Sequence, residues 1–95
     1  MASIDISRKH SLGLEAARGA AEKVAQSLKE QLDASYSWKG DNLVWQRTGA
    51  KGEIRVSESE VRVLAELSFL LRPLKGKIEG KVHEYLDEYL RPDQG

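Results

Sequence analysis

The hydrophobic period of this chain changes at Asp33, and that change constrains the fold more than any other feature. Before it, Leu14, Ala17, Ala21, Val24, Leu28 and Leu32 recur at steps of three and four. Such spacing predicts one apolar stripe on a helix of about six turns. Glu15, Arg18, Glu22, Lys23, Lys29 and Glu30 cover its other side. After Asp33 the period is two: Tyr36 and Trp38 point one way, Ser37 and Lys39 the other. A helix stripe followed by strand alternation requires a helix packed on a sheet.

The strands follow from the turns between them. Ile4-Asp5-Ile6 alternates as a short first strand, and Ser11 is placed to cap the helix that follows. Gly40-Asp41 reads as a two-residue hairpin loop, since glycine tolerates positive φ. That register sets Trp38 opposite Leu43 and Tyr36 opposite Trp45, all on one face. Gly49 and Gly52 bracket the next turn, with Ile54 and Val56 continuing the face. Glu58-Ser59 makes the third reversal. A last strand from Val61 to Phe69 then points Val61, Val63, Ala65, Leu67 and Phe69 inward.

Pro73 suits the first position of a closing helix, where its missing N–H costs nothing. Leu74, Ile78, Val82, Tyr85 and Tyr89 form that helix's stripe, widened by Leu86 and Leu90, and Pro92, Asp93 and Gly95 end the chain as a polar tail. The expected fold is therefore one α+β domain over residues 1–95, in the order β-α-β-β-β-β-α. Its curved antiparallel sheet carries two helices on one face. Gly76 and Gly80 lower helix propensity by about 1 kcal/mol each and ask for a reason. Close packing against a small-residue side of the first helix (Gly13, Ala16, Ala17, Gly19, Ala20, Ala21) is the expected one.

Composition narrows the function classes. Fifteen Lys+Arg balance fifteen Asp+Glu, which excludes a strongly basic nucleic-acid binder. There is no cysteine, hence no disulfide, thiolate nucleophile or Cys-based metal site, and this fits a reducing compartment such as the cytoplasm. No apolar run, Phe69-Leu70-Leu71 included, exceeds three residues, far below the ~20 of a membrane span, and Met1 to Arg8 lacks the apolar core of a signal peptide.

Candidate chemistry is sparse. His10 and His83 lack the three or four converging ligands that a metal needs, so solvated surface histidines are expected and neither metal nor cofactor is. No phosphate loop, dinucleotide fingerprint or HExxH is present, which points away from an enzyme. Two features stand out. Arg72, Lys75, Lys77 and Lys81 crowd the start of the closing helix, where the helix dipole already favours anions. They form a candidate anion or acidic-partner patch; the plainer alternative is a solvated charge run offset by Glu79 and Glu84. Tyr36, Trp38, Trp45 and Phe69 are candidates to line an apolar pocket, with ordinary core as the plainer alternative.

Three stretches together resemble a known family. They are Lys9-His10-Ser11-Leu12-Gly13-Leu14-Glu15-Ala16-Ala17-Arg18; Tyr36-x-Trp38-x-Gly40-Asp41-x-Leu43 with Gly49-x-x-Gly52-x-Ile54-x-Val56; and the junction from Leu67 to Glu79. The family is that of the polyhydroxyalkanoic acid system proteins, small bacterial proteins associated with polyester storage-granule genes. The likeness spans about Ile4 to Leu90, with Ser68 where many relatives carry Gly. It implies a role in polyhydroxyalkanoate biology, and the expected function is a non-enzymatic accessory protein with the granule surface or a granule-associated protein as partner. It implies no catalytic residue or cofactor, and leaves homo-oligomers open. The segment Leu71 to Gly76 before a long final helix also resembles the end of START/Bet v1-like domains. The alternative function is thus a small domain binding apolar, acyl-type ligands between sheet and helices.

Overall fold

The computed structural model describes residues 2–90. The expected polar tail at Pro92, Asp93 and Gly95 lies outside them. Five strands and two helices follow the order β1 (Ala2–Lys9), α1 (Leu14–Leu32), β2 (Ser35–Lys39), β3 (Asn42–Arg47), β4 (Ala50–Val56), β5 (Glu60–Leu67) and α2 (Lys75–Tyr89). A 3₁₀ segment over Phe69–Leu74 joins β5 to α2. The sheet is antiparallel throughout, in the spatial order β1-β5-β4-β3-β2. The first strand pairs with β5 across its whole length, so it completes a five-stranded sheet and runs well past Ile4–Ile6.

Register agrees with the hairpin argument. Tyr36 pairs with Trp45 and Trp38 with Leu43. Leu43 then pairs with Ile54, and Ile54 with Val63, which carries one apolar face from strand to strand. Ile4, Ile6, Leu43, Trp45, Ile54, Val61, Val63 and Leu67 are buried on that face, against Val24, Leu28, Ile78, Val82 and Leu86 of the helices. Helix α1 lies across β2 to β5, while α2 packs beside α1 and over β1.

Several local expectations change. Ser11 does not cap α1: the helix starts three residues later, with Gly13 at its N-cap (φ 90°) and no side-chain cap. His10 does the stitching there. Its Nδ1 accepts from the Leu12 N–H at 3.1 Å, and its Nε2 lies 3.2 Å from the Ser57 carbonyl. Gly52 stands inside β4, opposite Trp45, and only Thr48-Gly49 forms the turn. Pro73 sits within the 3₁₀ segment, and α2 begins two residues later.

Phe69 is not inward. The β5 ladder stops at Leu67, Ser68 breaks the alternation, and the Phe69 ring is 78% exposed. The glycine notch is also not a packing surface. A Cβ at Gly76 or Gly80 would meet nothing within 4 Å, because both lie diametrically away from the Ile78–Val82–Leu86 stripe. On α1, Ala17, Ala20 and Ala21 are buried while Ala16 and Gly19 face solvent.

Candidate functional site

The four cations of the candidate patch start from adjacent positions in sequence but separate in space. In a helix turning ~100° per residue, Lys77 and Lys81 share one side and Lys75 the other, with the core stripe between them. Lys77 and Lys81 border the crevice between α1 and α2. Lys75 reaches Glu79 at 4.0 Å, and Lys81 reaches Glu84 at 4.0 Å. Exposed pairs at that distance contribute little, at most ~1 kcal/mol. Arg72 and Lys77 make no ion pair among the described residues. Arg72 sits before α2, on the 3₁₀ segment that also carries the exposed Phe69 and Leu70.

The four aromatic candidates do not line one pocket. Trp45 is 1% exposed and belongs to the core, its Nε1 buried without a hydrogen-bond partner. Phe69 is at the surface. Tyr36 and Trp38 are half-buried on the edge strand β2, where both turn toward α1 and meet Glu22. The Tyr36 hydroxyl donates to Glu22 Oε2 at 2.5 Å and the Trp38 Nε1–H donates to Oε1 at 2.7 Å. Arg18 stacks over the Trp38 ring at 4.1 Å and donates to Asp41 in the hairpin loop at 3.0 Å. These bonds hold Glu22 below the usual glutamate range, the Tyr36 hydroxyl first and the indole second. The same carboxylate pushes Tyr36 up.

Sequence reasoning placed Arg18 and Glu22 on the solvated side of α1 and missed this clamp. Their i,i+4 spacing, aligned with an aromatic edge hairpin, was the available signal.

Space under the sheet is filled by side chains. Between α1 and α2 there is a cavity of about 40 Å³, walled by Leu28, Ile78, Val82 and Tyr85. One water's share of liquid is ~30 Å³, so an acyl chain has no room there. A wider, open cleft lies at the end of the sheet beside Arg47, Thr48 and Gly49. Its half-buried cation is already committed, since Arg47 donates to the carbonyls of Leu32 (2.9 Å) and Thr48 (2.7 Å).

His83 is exposed, with its Nδ1 3.1 Å from an Arg8 nitrogen, and Arg8 also pairs with Asp87. These contacts tie β1 to α2. No group of three or more His, Cys, Asp or Glu side chains converges on a metal-sized point among the described residues. Nor is any described helix long and apolar enough to cross a membrane.

The residues that carry the sequence resemblance therefore fall at the α1 start, the aromatic hairpin and the β5–α2 junction. A family model described as "Putative polyhydroxyalkanoic acid system protein" matches residues 4–90, from within β1 to the residue after α2. The chain belongs to that family. In this polyhydroxyalkanoic acid system protein the matched span takes in the whole sheet core and both helices, so the family pattern is the fold itself. No protein of curated function matches the chain.

Proposed function

We propose that this polyhydroxyalkanoic acid system protein is a non-enzymatic accessory of polyester storage, associating with granules or with granule-bound proteins. Family membership supplies the biological setting. The observation that carries the reading is local charge. From Leu67 to Ile78 the chain holds Arg72, Lys75 and Lys77 and no carboxylate, although its net charge is zero, and of the three only Lys75 has an ion-pair partner among the described residues, Glu79. A surface stretch of one sign on a neutral protein favours an anionic partner.

The alternative, an acyl-ligand binder, draws less support because the cavity between the helices is only about 40 Å³. Co-sedimentation of purified protein with native and with protein-stripped granules tests the proposal. Binding to stripped granules means direct surface contact; binding only to native ones means a protein partner. Absence from both pellets at low salt overturns it.

A further inference from the structure

The 3₁₀ segment between β5 and α2 is an exposed apolar knuckle on a fixed base. In 3₁₀ geometry positions i and i+3 eclipse, so six residues form three rows. Leu71 and Leu74 form the inward row, packed against the core. Phe69 and Arg72 form a second row, Leu70 and Pro73 a third, and all four are exposed. Phe69 is 78% and Leu70 82% exposed, and they are the two most exposed large apolar side chains described. The next outward position, Gly76, adds no side chain of its own.

The base is held at its β5 end. The Ser68 N–H donates to the Gly49 carbonyl at 2.7 Å, and the Leu71 N–H donates to the Ser68 carbonyl at 3.0 Å. The Ser68 hydroxyl is buried against Gly49. Thus the knuckle is presented by the scaffold and does not depend on a binding partner for its shape.

We propose that this knuckle docks the protein on an anionic lipid surface, with Phe69 and Leu70 inserted among acyl chains and Arg72 and Lys77 on the head groups. Shape and charge both select that occupant. A convex pair of apolar side chains needs a phase that yields around it, and it has a cation two residues past Leu70 at Arg72 and a second in the first turn of α2 at Lys77, where long side chains can reach head groups. Neither Arg72 nor Lys77 has an internal ion-pair partner among the described residues. Each is free to meet a phosphate, and a cation near such a surface contributes roughly 1 kcal/mol, about fivefold in binding. This deepens the granule reading and rests on it for the identity of the surface.

The test uses flotation with phosphatidylglycerol–phosphatidylcholine vesicles and with pure phosphatidylcholine vesicles, alongside native granules. Wild type floats with the anionic vesicles and much less with the neutral ones. The double variant Phe69→Ser/Leu70→Ser, at two exposed positions, keeps the wild-type melting curve and loses roughly tenfold or more in vesicle binding. The variant Arg72→Gln/Lys77→Gln loses the preference for anionic over neutral vesicles, as does wild type at high salt. Vesicle binding by wild type that the Ser variant retains overturns the inference, as does equal binding to both vesicle types. Granule binding without vesicle binding also overturns it, and leaves the proposed function standing with a protein partner. Vesicle binding without granule binding does the reverse. A wild-type dimer that Phe69→Ser/Leu70→Ser converts to monomer assigns the knuckle to self-association and overturns the lipid proposal.

Discussion

Gly52 stands directly opposite Trp45 in the β3–β4 ladder, and the indole occupies the space where a side chain at 52 would lie. A Cβ there would come 2.8 Å from Trp45 Cζ2 and would also run into the Leu64 carbonyl. The largest buried side chain of the sheet is thus fitted by removing its cross-strand neighbour. Gly52→Ala is expected to destabilise by about 2–3 kcal/mol, as overpacking a core does. Urea denaturation measures it. The double variant Gly52→Ala/Trp45→Leu should be less destabilised than the sum of the singles, because the indole is part of the clash and the Leu64 carbonyl the rest. Strict additivity would mean that the strain comes from the backbone alone.

The Glu22 clamp gives a pH-dependent stability. Glu22 is held below the ordinary glutamate value of 4.5 by the Tyr36 hydroxyl and the Trp38 indole, so the folded state binds fewer protons there. Its contribution is therefore full above about pH 4.5 and fades as pH falls through the lower folded-state value. Glu22→Gln should cost about 1–2 kcal/mol at pH 7, a charged hydrogen-bonded acceptor discounted for partial exposure. The gap between wild type and variant should shrink on acidification below pH 4.5. A gap that is constant from pH 7 to pH 3 would show that the carboxylate charge plays no part.

Interior space makes a negative result informative. Hydroxyacyl chains of increasing length should leave both tryptophan fluorescence and Tm unchanged, since any ligand that prefers the native state must raise Tm by mass action. A saturable rise would restore the acyl-binding alternative, and would require α1 and α2 to part at Leu28 and Val82.

Much of this was legible in the sequence, for one physical reason. Where side chains alternate against a core, as at Tyr36, Trp38, Leu43 and Trp45, a one-residue slip would invert the whole strand, so register follows from pattern. The same holds for the α1 stripe. Pattern failed where the backbone leaves its regular path. Phe69 continues the alternation of β5 by sequence, yet the described ladders to β1 and β4 reach only Leu67, and a 3₁₀ turn carries Phe69 outward. Ser11 is a good cap by residue type, but the positive φ of Gly13 places the helix start beyond it. The four cations read as one patch because they are close in sequence, whereas the turn of the helix sets Lys77 and Lys81 on one side of α2 and Lys75 on the other, and Arg72 lies before the helix. Glu22 was assigned to solvent because its partners lie on another element, sixteen residues away at Trp38.

Charge at the start of α2 can be changed without touching the core. Lys77 occupies the third helical position, beside N–H groups that favour a carboxylate, and Lys81 lies four residues on. Lys77→Glu should stabilise by about 0.5–1 kcal/mol from the dipole and the new i,i+4 pair. It should also weaken association with granules. Thermal melts and granule co-sedimentation read the two effects separately, and a variant that is both more stable and fully binding would remove Lys77 from the docking surface.

The helical glycines offer the sharpest separation of stability from function. Gly19, Gly76 and Gly80 each have open space where a Cβ would be built, and none has a positive φ. Alanine at such a site adds helix propensity and restricts the unfolded chain without meeting anything in the folded one. Each Gly→Ala change should therefore stabilise by about 0.5–1 kcal/mol, and the triple variant by about 1.5–3 kcal/mol if the sites are independent. Gly40 is the contrast: at φ 63° in the β2–β3 loop, alanine there should destabilise although its surroundings are equally empty. Denaturant midpoints for the four singles and the triple decide this. If Gly76→Ala stabilises the fold yet weakens vesicle binding while Gly19→Ala does not, the bare surface beside Phe69 and Leu70 is part of the docking face. Equal binding by both would confine that face to the knuckle itself.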